Sequence, residues 1–287
     1  MDYRLQTFII LCETMNYRIT AQRLHLTQPA VTKQIQALER DYKVKLFSYD
    51  GKRLEVTDEG RILEKYASSL RRNYEELERA LAKQKIRRIR VGATKTIGEY
   101  VIGHRISEYL RGGEHSVVLE VDNTHNLMQM LDRNEIDFAV VEGFFSKTDY
   151  AYKLYRREKF IGICSKESEL CGRTVKLEEL FRYSIIVREN GSGTRDILEN
   201  ELHSAGYSLG AFSSVSEISS FRIISALVAD GLGISFVYES VYEGEQNLGS
   251  FCVDGFAQEH EFNIVYLENT NAGTAASEFF NIESYST

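Results

Sequence analysis

The chain has 287 residues, which exceeds one average domain and favours two or three folded units. Apolar residues make up 43% of it, enough for sizeable cores, and no run of about 18 apolar residues predicts a membrane span. The first residues lack the basic and then apolar pattern of a signal peptide, so the sequence predicts a cytoplasmic protein with no membrane partner.

Charge is distributed unevenly along the chain. The net charge of −7 by itself argues against a nucleic-acid partner. Residues 1–90, however, carry 19 Lys and Arg against 12 Asp and Glu, whereas residues 91–287 carry 16 against 30. A basic head on an acidic body indicates that only the head contacts a polyanion.

Cysteine and histidine show no pattern typical of a metal or catalytic site. None of the cysteines belongs to a CxxC pair, so neither a zinc site nor a disulfide framework is indicated. Cys164 and Cys171 leave a redox pair open, although ordinary reduced thiols are the favoured interpretation. The six histidines belong to no spaced triad or metal set, and the sequence therefore predicts no enzyme, no metal and no cofactor.

The first fifty residues contain no glycine and are predicted to be largely helical. Apolar spacing predicts a first helix over residues 4–15 and a short second helix over residues 19–24. Thr27 then offers an N-cap, with Pro29 in the first turn of a third helix over residues 28–40. The inward stripe of this third helix is predicted to be Val31, Ile35 and Leu38.

The third helix presents a polar face suited to DNA. Gln28, Thr32 and Gln36 recur every four residues on this face, and Lys33 lies beside them. Amides, a hydroxyl and an ammonium can form hydrogen bonds to base edges and phosphates in a major groove. The alternative is an ordinary solvated helix face.

A β-hairpin is predicted over residues 45–56, with its tight turn at Asp50-Gly51. Lys52 and Arg53 would lie at its tip, placed to reach the DNA backbone or the minor groove. Three helices followed by a hairpin are typical of a winged helix-turn-helix, and the first 60 residues are predicted to form this DNA-binding domain.

The segment from Ala21 to Glu39, with Thr27-Gln28-Pro29-Ala30 at its centre, resembles the signature of LysR-type transcriptional regulators. The segment starting at Leu46-Phe47, with Arg53, Thr57 and Gly60, fits the same pattern. Three residues depart from it, because the family more often has alanine, arginine and arginine at positions 22, 33 and 49. Those positions here hold Gln22, Lys33 and Tyr49.

The resemblance implies that Gln28, Pro29, Thr32 and Lys33 face the groove and that Arg53 is the wing contact. Pro29 would contact a thymine methyl group. The predicted DNA-binding residues are Thr27, Gln28, Pro29, Thr32, Lys33, Gln36, Lys52 and Arg53.

A long linker helix is predicted over residues 58–88, capped by Thr57. Its apolar residues follow steps of four and three, which is a heptad seam. The helix exceeds what a small domain needs, which favours pairing between chains over packing on its own domain. The resemblance implies a homodimer or homotetramer, formed through this helix and the effector domain. The seam residues are Leu63, Ala67, Leu70, Tyr74, Leu77 and Leu81.

From residue 89 onward the pattern predicts alternating strands and helices. Strands are predicted over 89–93, 117–121 and 137–141, separated by helices over 97–111 and 126–131, and this order implies a parallel sheet.

Three further strands are predicted over 183–187, 234–237 and 262–267. Helices are predicted from Thr194 and over 223–229, and the short polar tail after Leu267 leaves a final helix undecided.

This body, residues 89–287, resembles the two-lobed, periplasmic-binding-protein-like effector domain of the same family. The first lobe would comprise about 89–162 and 264–287 and the second about 163–263, with two crossover strands as the hinge. The predicted fold class is α/β, with an all-α-dominated winged helix-turn-helix head, a long linker helix and this two-lobed domain.

Three loops follow strands where ligands bind in open α/β sheets, and their polar residues are the candidate effector site. The third of these loops, residues 188–195, opens a helix and contains Gly191-Ser192-Gly193-Thr194-Arg195, which combines hydroxyls with free backbone N–H groups that attract an anion. It lacks the GK[ST] ending of a Walker A loop, and a flexible turn is the alternative. The sequence leaves open whether Glu142-Gly143 and Ser216-Glu217 line the ligand cleft or cap local elements. The predicted effector-binding residues are Thr94, Thr96, Thr124, Ser192, Thr194 and Arg195.

The sequence thus predicts a LysR-type regulator that binds an inverted-repeat promoter site in double-stranded DNA and responds to a small anionic effector. RNA polymerase is a further candidate partner. Two alternatives remain: a solute-sensing or catalytic protein in which DNA binding is secondary, and an architectural DNA-binding protein with a vestigial body.

Overall fold

The computed structural model describes most of the chain, namely residues 1–51, 53–81, 87–268 and 270–282. The chain divides into two compact units, built mainly from residues 1–87 and from residues 88–287. Among the described helices, none is both long enough and apolar enough to cross a membrane.

The first unit begins with three helices: α1 (Tyr3–Thr14), α2 (Tyr17–Arg23) and α3 (Gln28–Tyr42). The Asn16 side chain caps α2 by accepting hydrogen bonds from the N–H groups of Arg18 and Ile19. The predicted inward stripe of α3 is confirmed. Val31, Ile35 and Leu38 are all buried, the last two in one apolar core with residues of α1.

The wing is a two-stranded hairpin of β1 (Phe47–Asp50) and β2 (Arg53–Val56), in which Asp50 pairs with Arg53. It is followed by α4 (Asp58–Leu81). Thr57 caps α4 as predicted, because its Oγ1 accepts the Gly60 N–H at 3.0 Å while donating to the Lys45 carbonyl at 2.6 Å. One threonine thus fixes the start of α4 against the wing.

The second unit opens with the elements of a first lobe: β3 (Arg87–Thr94), a π-helical turn (Ile97–Val101), α5 (Gly103–Arg111), β4 (His115–Asp122), α6 (Thr124–Asp132), β5 (Phe138–Val141) and β6 (Ala151–Ser165). The predicted order of strands and helices up to β5 is confirmed, and β3 and β5 are parallel. The predicted helix over 97–111 is divided between the π-helical turn and α5.

The remaining elements are β7 (Thr174–Val175), α7 (Leu177–Leu180), β8 (Ser184–Val187), α8 (Gly193–Ser204), β9 (Ser214–Glu217), α9 (Phe221–Ala229), β10 (Ser235–Tyr238), α10 (Glu239–Tyr242), β11 (Leu248–Val253), β12 (Glu259–Tyr266) and α11 (Ala272–Phe280). In the second lobe, β8 and β9 pair in parallel, and β10 and β11 pair with β6.

One strand, β6, is shared by the two lobes. Up to Lys159 it pairs antiparallel with β12, and from Phe160 onward it pairs with β10. The sequence predicted a crossover strand near residue 162 but not its bounds, because the first half of β6 is rich in charge. That charge is matched across the ladder, where Arg157 lies beside Glu261 at 3.5 Å.

A buried helix, α11, follows β12. Ala276, Phe279 and Phe280 of α11 are buried, and the Phe279 ring lies 5.5 Å from that of Phe138. The undecided tail of the sequence prediction is therefore a helix that completes the core of the first lobe.

Replacing Gly162 tests the packing on β6. A Cβ at this position would lie 2.2 Å from the Phe251 ring. We expect Gly162→Ala to lower the free energy of unfolding of the second unit by about 1–3 kcal/mol through overpacking. Urea denaturation followed by tyrosine fluorescence measures this. The control is Gly103→Ala, where the added methyl meets open space, and an equal loss in both variants would contradict the packing assigned to β6.

Candidate functional site

The exposed face of α3 is the first candidate site. Lys33 and Gln36 are exposed on it, above the buried stripe. Thr32 is half-buried, and its Oγ1 donates to the Gln28 carbonyl at 3.1 Å. This hydrogen bond leaves the hydroxyl oxygen able to accept from a base. Donors and acceptors therefore alternate along the face, as in a helix that reads a major groove.

The start of α3 is exposed as well. Thr27 has the backbone conformation of an N-cap, but its side chain makes no capping hydrogen bond. The expected side-chain cap is therefore absent, and the Thr27 hydroxyl is available to another acceptor or donor. Gln28 and Pro29 are also exposed in this first turn, where backbone N–H groups favour a phosphate.

On the wing, Arg53 is exposed beside the turn at Gly51, which has a positive φ of 63°. The predicted contact Lys52 lies outside the described residues. Two further cations were not singled out from the sequence: Arg40 and Lys43 are exposed at the far end of α3 and line one concave surface with Lys33 and Gln36. A search of α3 for basic residues, in addition to its polar residues, would have identified these two cations.

The predicted seam on α4 divides into two parts. Leu63 and Ala67 pack against the core of the head, so they are not free to pair with another chain. The other four seam residues are exposed, and Ile62 and Tyr66 beside them are exposed as well. The prediction of one continuous seam is therefore wrong at its start, because the first turns of α4 are used by their own domain. The exposed apolar residues of α4 are Ile62, Tyr66, Leu70, Tyr74, Leu77 and Leu81.

The second candidate site is a group of buried threonines around one carboxylate. Thr94 ends β3 and Thr96 follows it, and both hydroxyls donate to Glu142, the Thr96 bond measuring 3.0 Å. Thr194, in the first turn of α8, donates to the same carboxylate at 3.4 Å. Three predicted effector residues, two at β3 and one in α8, therefore meet on Glu142. The sequence by itself had left the role of Glu142 open.

Close backbone contact holds these loops together. Gly143 has a positive φ of 89°, and a Cβ there would lie 2.8 Å from the Gly193 Cα. A Cβ on Gly193 would in turn lie 2.5 Å from the Glu142 carbonyl oxygen. Thr124 donates to that same carbonyl at 3.1 Å, so it supports the backbone rather than the carboxylate.

Burial raises the pKa of the Glu142 carboxyl, while hydrogen bonds from Thr94 and Thr96 and the charge of Arg188 oppose the rise. Arg188 is itself buried and bonds Glu189 through Nε and Nη2, while its Nη1 has no partner among the described residues. Lys95 also binds Glu189, at 3.1 Å. Two cations thus share the Glu189 carboxylate, and the charge of Arg188 also acts on Glu142 beside the threonine hydroxyls.

Ser192 and Arg195 are placed differently from the threonines. Ser192 is buried at the N-cap of α8, without a side-chain capping bond. Arg195 binds Glu199 at 2.6 Å and Glu217 at 2.5 Å, so its guanidinium is held by carboxylates of its own lobe and is not part of the Glu142 group. Among the described residues, no group of three or more His, Cys, Asp or Glu could hold a metal ion.

Two family models match the chain. The model described as "Bacterial regulatory helix-turn-helix protein, lysR family" matches residues 3–61, and the "LysR substrate binding domain" matches residues 82–282.

Curated relatives and solved structures agree with these matches. A YeiE transcriptional regulator of Escherichia coli is 30% identical over 87% of this chain and 85% of its own, and a regulator of Methanocaldococcus jannaschii is 29% identical over 82% and 80%. Full-length OxyR from Pseudomonas aeruginosa has a TM-score of 0.72 at 20% identity, covering 97% of this chain and 93% of that one. Full-length CbnR, in a complex with its target DNA, has a TM-score of 0.57 at 19% identity over 98% of both chains.

Replacing Glu142 with glutamine tests its burial. Because the folded pKa is raised, the folded state keeps this proton at a pH where the unfolded chain has lost it, so stability falls as pH rises from about 4.5 through the folded pKa. We expect Glu142→Gln to remove this loss, with the free energy of unfolding gaining on wild type by up to about 1.4 kcal/mol per pH unit. Urea denaturation between pH 5 and pH 8 measures the difference, and a constant difference would contradict the raised pKa.

Proposed function

The chain belongs to the LysR family of DNA-binding transcriptional regulators with an effector-binding domain, and from this premise we propose that it binds an inverted-repeat DNA site through α3 and the wing and that a small anion acts on it at the Glu142 site. Its curated relatives are named as transcriptional regulators. A location in the cytoplasm, the absence of catalysis and a contact with RNA polymerase stay predictions.

One observation supports an anion above other effectors. The group of Thr94, Thr96 and Thr194 already binds a carboxylate, which is the side chain of Glu142. Charge-assisted hydrogen bonds of this kind are among the stronger polar contacts. When Glu142 is protonated or displaced, Glu189 alone opposes the charges of Arg188 and Lys95, and this surplus and the N-terminus of α8 favour the same sign of ligand.

An anionic effector must displace the Glu142 carboxylate or bind beside its protonated form. Gly143, which follows β5, lies in close contact with Gly193, which begins α8 in the other lobe, and we propose that either event alters this contact. We propose that this contact has two arrangements and that the effector prefers one of them, as any effector must do to shift a conformational equilibrium. Ser192, buried at the N-cap of α8, is proposed to contact the effector. Arg195 is proposed to stabilise the start of α8 through its ion pairs with Glu199 and Glu217.

Pairing between two chains would place two copies of α3 on one inverted repeat. The exposed apolar residues of α4 form the surface proposed for this pairing, since Leu70 and Leu77 are one heptad apart on it. The effector domain is proposed to contribute further contacts in a dimer or tetramer.

Substitutions on the head separate base reading from phosphate binding. We expect Thr32→Ala to reduce the preference for a DNA duplex selected by the wild-type protein over its scrambled sequence about tenfold, because one base contact contributes about 1–3 kcal/mol. We expect Arg53→Ala to weaken binding to both duplexes and to lower the slope of log K against log salt by about 1. Fluorescence anisotropy at several salt concentrations measures both effects.

The control for charge is Arg182→Ala, which removes an exposed cation of the effector domain that binds Glu169. It should leave the salt slope unchanged. If Thr32→Ala and Arg53→Ala both retain wild-type preference and slope, the DNA-binding surface lies elsewhere.

Titration with sodium sulfate tests the anion site, since sulfate keeps its charge across the working pH range. We expect Thr96→Val and Thr194→Val each to weaken sulfate binding tenfold or more, because each removes a hydroxyl donor to a charged acceptor worth about 1.5–3 kcal/mol. We expect Glu142→Gln to strengthen it, because the competing carboxylate is gone. Isothermal titration calorimetry at constant ionic strength measures all three.

Thr148→Val, at an exposed threonine, is the matched control for these variants. Loss of sulfate binding in Glu142→Gln would show that the carboxylate is itself a ligand of the effector and would overturn the anion proposal. The same conclusion follows if Thr148→Val loses as much affinity as Thr96→Val.

Charge placed on α4 tests the pairing surface. We expect the double variant Leu70→Glu, Leu77→Glu to raise the dissociation constant of self-association at least tenfold. Pairing would bury unpaired carboxylates, and the carboxylates of the two copies would repel each other. Sedimentation velocity measures it. Tyr3→Glu, at an exposed aromatic residue outside α4, should have no effect, and equal sedimentation of the double variant and wild type would reject this surface.

A further inference from the structure

Two cysteines that the proposed function does not use lie close together in the second lobe. Cys164 is buried on β6, directly beside Gly249 of β11. Cys171 is exposed at the end of a turn that folds back over these strands. Its N–H donates to the Ser168 carbonyl at 3.1 Å, and the next residue, Gly172, donates to the Ser250 carbonyl of β11 at 2.7 Å. Backbone hydrogen bonds therefore hold Cys171 above β11.

Gly249 provides the space in which the two sulfurs approach. A Cβ at this position would lie 2.6 Å from the Cys171 Sγ and 3.3 Å from the Cys164 Sγ. Both sulfurs thus converge on the point that a side chain would occupy, which places them within about 6 Å of each other. Over such a distance, a change of side-chain rotamer can bring two cysteines to bonding distance.

The other two cysteines do not share this arrangement. Cys252 lies three residues beyond Gly249 on β11, so strand alternation places its side chain on the opposite face. Cys12 belongs to α1, in the first unit. They therefore serve as internal controls.

We propose that Cys164 and Cys171 form a reversible modification site, at which a peroxide converts the two thiols to an intramolecular disulfide. The exposed Cys171 thiolate attacks one peroxide oxygen and breaks the O–O bond, giving a sulfenic acid and, with hydrogen peroxide, hydroxide. The Cys164 sulfur then attacks the Cys171 sulfur, and the sulfenic hydroxyl leaves as water with the Cys164 proton. The hydroxide released in the first step takes up the proton that Cys171 lost when it ionised, and this gives a second water.

The environments of the two cysteines suit this order of events. Cys171 meets solvent and is oxidised first, whereas burial raises the pKa of the Cys164 thiol to about 11. Cys164 therefore stays a protonated thiol, protected from peroxide, until a sulfenic acid forms beside it. The bond closes a ring of only eight residues, from 164 to 171, all of them in β6 and the turn that follows it.

Peptide mapping of the folded full-length chain tests the proposal. The reduced protein is treated with hydrogen peroxide, its remaining thiols are alkylated in denaturant, and it is digested without reductant at Lys166 and Glu167. We expect a linked peptide that contains Cys164 and Cys171 and lacks two hydrogen atoms, and we expect dithiothreitol to separate it. Cys12→Ser and Cys252→Ser should give the same linked peptide.

Gly249→Ala tests the geometry, because its methyl group occupies the meeting point of the sulfurs. We expect at least a tenfold loss of the linked peptide, with circular dichroism used to confirm the fold. Cys164→Ser, in which no resolving thiol remains, should leave Cys171 as a sulfenic acid that dimedone traps. The proposal is overturned if peroxide-treated wild type keeps Cys164 fully alkylatable, if Cys171 pairs instead with Cys252, or if the link forms only after denaturation.

Discussion

Strand β6 is the constraint on which the effector domain depends. Its first half pairs with β12 in one lobe and its second half pairs with β10 and β11 in the other, so one strand contributes to the sheets of both lobes. Because the strand is continuous, the two lobes are joined by backbone hydrogen bonds and not by a flexible linker. The hydrogen bonds and the glycine contact at the Glu142 site join the same two lobes at a second place, away from β6.

The Glu142 site combines two features that usually exclude each other. Threonine hydroxyls, a helix N-terminus and a partly balanced pair of cations favour a negative ligand, yet the position is occupied by a carboxylate of the chain itself. Burial raises the pKa of this carboxyl, so its protonation and its displacement both affect what binds there. The same hydroxyls would serve an external anion, which links the proposed effector to an internal competitor.

Local signals predicted the head well and the linker helix only in part. The capping threonine at position 57, the polar face of α3 and the turn at Gly51 are all consequences of nearest-neighbour spacing, and the structure has them. The heptad pattern could not show that Leu63 and Ala67 pack on their own domain, because periodicity gives the face of a helix but not the partner of that face. The bounds of β6 were not predicted for a related reason, since charges in its first half are matched across the ladder.

The sequence by itself determined the family, the order of the elements up to β5, and the hydroxyl-bearing residues of the candidate effector site, because these follow from motifs and from local periodicity. Only the tertiary structure decided which of those residues meet. It brought Thr94, Thr96 and Thr194 onto Glu142, directed Arg195 to Glu199 and Glu217, and placed Cys171 over Gly249 beside Cys164. Such encounters depend on strand pairing between distant segments, and the pairing partner of a strand is not encoded in its own residues.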